Sequence, residues 1–250
     1  MFAKTIKSST VTGATVPGVP FPGRWVGGAS LVLGPLLLLT GVLLRARYDF
    51  FFPAQLAAYQ RDPVLMTVSY SAFSAGCVLL WPGVVTLAAR IGVRCPETAL
   101  WGGTLAVLGL SARAFHAGVD HSAFQLVRSL GVRSATDAVG EAYGAFHIFS
   151  MFNAAILGGW VLLAIGAYRS GVLGPLRALA LASMSALPLG VLKGTTPMSV
   201  VAVAGLCVAL VPLGLAVLRE GAAPRPAAAA GRILLVAVAA VVMLLVGLAG

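Results

Sequence analysis

Long apolar runs separated by short polar ones set the rhythm of this chain. Seven stretches are long and apolar enough to read as spanning helices, near 25–44, 64–89, 97–117, 140–168, 172–192, 197–218 and 231–249. Each meets the requirement of about 20 mostly apolar residues for crossing a bilayer as a helix. The pattern therefore predicts an all-α, polytopic integral membrane bundle of about seven transmembrane helices, with the lipid bilayer as its solvent. A flexible tail over residues 1–24 precedes a single transmembrane domain over 25–250.

The connections carry most of the remaining information. Residues 48–63 begin with Tyr48, Asp49 and three phenylalanines and are too short and polar to span. They read as an outer interfacial segment, with a cavity lid as the other reading. Residues 118–139 read as an outer loop containing a short surface helix from Ser122 to Leu130 that turns Phe124, Val127 and Leu130 to the membrane. Ser134 and Asp137 have the spacing of a capping box that starts the fourth span. Residues 219–230, rich in Ala and Pro, read as a cytoplasmic linker. Pro82 followed by Gly83 predicts a kink in the second span. Gly140 with Gly144, and Gly190 with Gly194, have the spacing that lets helices approach closely.

Composition supports the bilayer reading. The 250 residues are 59% hydrophobic and 10% charged, with mean hydropathy +0.98, too few polar groups to cover a water-soluble globule. The formal net charge of +10 would suit nucleic acid if it formed a stripe. The basic residues are instead spread over short loops, which argues for no nucleic-acid partner. Ten Lys and Arg fall on the side of the amino terminus and seven on the other. By the positive-inside rule the amino terminus is then cytoplasmic and the carboxyl terminus extracytoplasmic, in a cell membrane crossed several times. Fourteen Arg against three Lys points to a GC-rich bacterial genome. Cys77, Cys95 and Cys207 share no metal-type spacing, and structural disulfides are not expected.

Candidate chemistry gathers at one place. All three histidines, His116, His121 and His147, lie in the third and fourth spans or the connection between them. His116 and Asp120 are four residues apart and Arg113 is seven before Asp120, so all three share nearly one helical face and could form a bonded ladder. On the next span Tyr143, His147 and Ser150 share a face, with Glu141 about 9 Å nearer the surface at 1.5 Å per residue. In the second span Tyr70, Ser74, Cys77 and Trp81 recur at helical spacing, as a polar face for neighbours or a cavity wall.

Three chemical uses fit these residues. His116, Asp120 and His147 are a candidate ligand set for zinc or iron, with Glu141 or His121 assisting. Alternatively, His116 or His147 with Asp120 or Glu141 forms an acid–base pair for an apolar or lipid-like small molecule, with Arg113, Tyr143, Tyr70 and Ser74 contacting it. A proton relay or substrate site in a transporter, or an immunity-type binding protein, is the third. The plain alternative is structural: Arg113 reaches the headgroups and pairs with Asp120 while the histidines rest at the interface, in a non-catalytic partner for another membrane protein.

Overall fold

A computed structural model describes residues 21–188, 190–221 and 226–249. Most of the expected tail, residues 1–20, and the middle of the expected linker, residues 222–225, lie outside the described residues. Among those described the chain is all-helical, with no strand. The α-helices are α1 (Gly23–Leu44), α2 (Phe52–Arg61), α3 (Pro63–Gly92), α4 (Pro96–Leu130), α5 (Val132–Ala142), α6 (Phe152–Arg169), α7 (Pro175–Ala182), α8 (Pro197–Arg219) and α9 (Pro226–Ala249). Proline stands in the first turn of α2, α3, α4, α7 and α8. Its fixed φ suits that position and its missing N–H would be unpaired there anyway.

Four helical stretches are long and apolar enough to cross a membrane, namely Gly23–Leu44, Pro63–Gly92, Ile148–Arg169 and Pro197–Arg219, and they fit the chain to a membrane. The anticipated count of about seven is not confirmed, and two of the anticipated runs are broken, although the first still supplies the Ile148–Arg169 stretch. The stretch 140–168 is not one helix. α5 ends at Ala142, Gly144 turns the chain at φ 86°, and a 3₁₀ turn over Ile148–Met151 precedes α6.

The stretch 172–192 is likewise broken. α7 lasts eight residues, a 3₁₀ turn covers Ser183–Ala186, and the described backbone is then irregular over 187–188 and 190–196. Pro188 has no N–H for a helical bond and Gly190 adopts φ 114°, so neither continues the helix. This unwound segment nevertheless travels along the bundle. The Arg177 guanidinium donates to Ala209 O of α8 at 2.6 Å, and the Gly194 N–H donates to Phe50 O at 2.8 Å at the end where α1 finishes and α3 begins.

α4 is the longest element, with 35 residues or about 52 Å at 1.5 Å per residue. It absorbs much of the expected outer loop. Phe124 and Val127, expected to face the membrane, are buried instead, and only Leu130 is exposed. Phe124 stacks on Tyr59 of α2 at 4.4 Å. Gly131 at φ 80° separates α4 from α5, so Ser134 lies inside α5 and the anticipated capping box does not form. α2 is drawn inward as well: Leu56 and Gln55 are fully buried, and the helix packs on α3, α4 and α5.

The bundle is held by α1 against α3 and α8, and by α4 against α3 and α6. Backbones come close where side chains vanish. A Cβ on Gly76 would lie 2.8 Å from Gly34 O, and one on Gly159 would lie 2.5 Å from Ala106 N. Gly140 and Gly144 are not such places, since a Cβ there meets one ring atom at 3.8 Å or nothing. Pro82 is accommodated within α3. Among the described residues α9 packs against no other element.

Candidate functional site

At the bundle end where α1 finishes, five elements line a chamber of about 30 Å³: the end of α1, α3, α4, the unwound segment and the start of α8. Arg45, the residue that closes α1, turns back into the bundle and is 4% exposed. Its guanidinium lies over the rings of Tyr70, at 4.5 Å, and Phe73, at 4.8 Å. One nitrogen reaches Ser69 Oγ at 3.5 Å, and Nε is buried with no hydrogen-bond partner. Ser69 Oγ in turn donates to Gly41 O at 2.7 Å, which ties α3 to the end of α1.

Arg113 enters the same chamber from α4 and donates to Pro188 O at 2.6 Å. One helical face below it, Asp120 is buried, and its Oδ1 accepts from the Leu192 N–H. Unwound backbone in an apolar setting must find hydrogen-bond partners, and these two side chains supply one acceptor and one donor. Arg113, His116 and Asp120 do share a buried face of α4. The expected ladder between them is absent, because Arg113 and Asp120 each spend their strongest contact on the unwound segment and form no ion pair with one another. Tyr70 donates to Gln55 Oε1 at 3.0 Å, and Ser74 Oγ donates to its own helix at Tyr70 O. Both line the chamber.

A larger groove of about 570 Å³ adjoins the chamber, between α4, α5, the connection that runs to α6 and the unwound segment. Its walls are mainly apolar, with Phe115, Val119, Leu126, Ala142 and Val191 among them. His116, Gly190 and Lys193 line both spaces. The rings of His116 and His147 meet edge to face with centroids 6.0 Å apart. Phe115 packs on His147 at 4.7 Å and on Phe149 at 4.5 Å, which fixes the side of the groove. Nδ1 of both histidines is buried without a partner. Tyr143 and Ser150 line the groove too, although the chain between them is irregular and not the helical face expected.

Glu141 is exposed and lines neither space. His121 is also exposed and lies 3.5 Å from Gln125 on its own helix. The proposed zinc or iron set fares no better: among the described residues no three His, Cys, Asp or Glu side chains come together to hold a metal ion. The cause is local, since the two histidines face the groove while Asp120 is bound to Leu192 N, and Glu141 points away.

Two functional candidates were hidden in the sequence. Arg45 reads there as a loop charge after the first span, and Lys193 as another. In the fold Lys193 Nζ sits over the rings of Phe50, Phe51 and Tyr143 at 5.0 to 5.3 Å. A Cβ on Gly194 would lie 2.8 Å from Phe50 Cα, so this glycine lets the Lys193 segment rest against residues 49–50. The signals that pointed here were Ser69, Tyr70 and Phe73 on one side of α3, and the Pro-Gly-Gly content of residues 188–194. The chain matches no protein-family model, no curated protein and no solved structure.

Proposed function

We propose that the protein is a membrane-embedded enzyme acting on a lipid-like molecule that lies in the groove, with His116 and His147 as its proton-transfer pair. The observation that carries this reading is the pairing itself: two imidazoles from different elements, 6.0 Å between centroids, each with a free buried Nδ1 on an apolar groove. Histidine is the side chain best suited to exchange protons near neutral pH. A molecule of the size such grooves commonly hold, roughly 300–1,000 Å³, would place a reacting atom beside both rings. With the amino terminus in the cytoplasm, as the Lys and Arg distribution favours, the site opens at the extracytoplasmic end of a cell membrane protein.

A binding protein that converts nothing is the second reading. What favours it is that neither imidazole has a carboxylate to orient it: the buried Asp120 is taken by Leu192 N. One experiment separates the two. Full-length protein in nanodiscs is incubated with lipid extracts, and products are followed by mass spectrometry for the wild type, His116→Ala and His147→Ala. The enzymatic reading expects a lipid consumed by the wild type and lost activity of at least about 100-fold in either variant, the usual scale for a general acid or base. Turnover at the wild-type rate in both variants would remove the pair from the chemistry, and lipid that co-purifies unchanged supports the binding protein.

A further inference from the structure

Resting on the lipid-like reading of the groove, we propose that its occupant is a single-chain amphiphile with a carboxylate head, the head held in the chamber by Arg45, Arg113 and Lys193 and the chain lying in the groove. The charge balance of the chamber asks for an anion. Three cationic side chains line it and one carboxylate does, and among the described residues none of the three is within ion-pairing distance of an acid; the ion pairs are Arg47 with Asp62 and Arg90 with Glu220, both outside it. Arg45 and Arg113 are nine-tenths or more buried. Buried charge with too little counter-charge is costly, and Arg45 Nε has a hydrogen still to donate.

Size selects the head. A buried water needs roughly 10–15 Å³, so a chamber of about 30 Å³ favours a compact head. A carboxylate presents two oxygens and accepts the forked N–H donors of a guanidinium; a phosphate monoester presents four. Continuity selects the tail. The chamber and groove share His116, Gly190 and Lys193 as a common wall, so a head in one leads its chain into the other. His116 then stands beside the carbons next to the head. Discontinuous spanning segments commonly place binding sites at their unwound point, which here is the segment carrying Pro188, Gly190 and Lys193.

The test uses full-length protein in nanodiscs of neutral phosphatidylcholine, with binding of a tritiated long-chain fatty acid competed by the unlabelled acid, the alcohol of equal chain length and the matching alkyl phosphate. The acid should compete at least about tenfold better than either rival. Arg113→Gln and Arg45→Gln should each weaken it about tenfold to 100-fold, the loss of one charged hydrogen bond. Lys193→Gln, whose side chain is only partly buried, gives the same readout if a buried-arginine variant does not fold. Ala142→Trp, which sets an indole at the groove wall, should weaken binding of acid and alcohol alike. Equal competition by alcohol and acid, stronger competition by the phosphate, or unchanged affinity in folded Arg and Lys variants overturns the carboxylate site. Alcohol binding that Ala142→Trp weakens would leave the lipid-like reading standing without it, whereas no binding of any of the three sinks both.

Discussion

Asp120 gives the sharpest test of this reasoning, because removing its charge should move stability and ligand affinity in opposite directions. Its Oδ1 accepts from the N–H of Leu192, a residue with no exposed surface. A hydrogen bond to a charged group contributes about 1.5–3 kcal/mol, a neutral one about 0.5–1.5. Asp120→Asn keeps an acceptor and should cost about 1 kcal/mol. Asp120→Ala strands a buried N–H and should cost about 3 kcal/mol, the upper part of the penalty for an unpaired buried donor. For a protein of this length roughly 2–4 °C of Tm follow each kcal/mol, so the expected losses are about 2–4 °C and about 6–12 °C. The same asparagine also removes the negative charge facing Arg45 and Arg113, so an anionic head meets a more positive chamber. Fatty-acid affinity should rise up to about tenfold, equivalent to about 1.4 kcal/mol. Thermal unfolding in detergent and the nanodisc competition assay read the two effects. The reasoning is refuted if Asp120→Asn weakens the acid or leaves it unchanged, or if the alanine variant is no less stable than the asparagine variant.

Two predictions concern the backbone that shapes the site. Gly194→Val should lower stability by about 1–3 kcal/mol, the usual overpacking cost, because its Cβ would meet Phe50 Cα at 2.8 Å and Asp49 O at 2.9 Å; thermal shift measures that, and a weaker hold on fatty acid should accompany it as Lys193 moves. Gly159→Leu should leave no monodisperse protein on gel filtration, since a Cβ there would lie 2.5 Å from Ala106 N where α4 and α6 touch, whereas the same change at Gly144, where a Cβ meets nothing within 4 Å, should cost only what its φ of 86° imposes, about 1–2 kcal/mol.

Much of the site was legible because a helix repeats. Arg113, His116 and Asp120 sit four and seven residues apart, and α4 duly buries all three. That His147 comes to His116 followed from the next apolar run having to pack against α4. What the run length could not show was where α6 begins. An apolar stretch reads alike whether it is wound or not, and Gly144 ends the regularity twenty-five residues before Arg169 does. Arg45 was illegible for a different reason. A cation just past an apolar run looks like a loop charge, and only the fold shows that Ser69, Tyr70 and Phe73 accept it inside.

The broken segment joins these two lessons. An unwound stretch buried in an apolar bundle leaves N–H and C=O groups that need partners, so some polar side chains beside Pro188 and Leu192 were obligatory, and Arg113 and Asp120 meet that need. Were structure the whole explanation, neutral donors and acceptors would serve at less desolvation cost. Their charges would then balance, one against the other. Arg45 and Lys193 upset that balance: neither completes a backbone bond of the unwound segment, and both direct positive charge at the chamber that opens on the histidine pair. The part of the site that folding does not require is therefore its surplus cation, and that surplus is what a ligand's anionic head would answer.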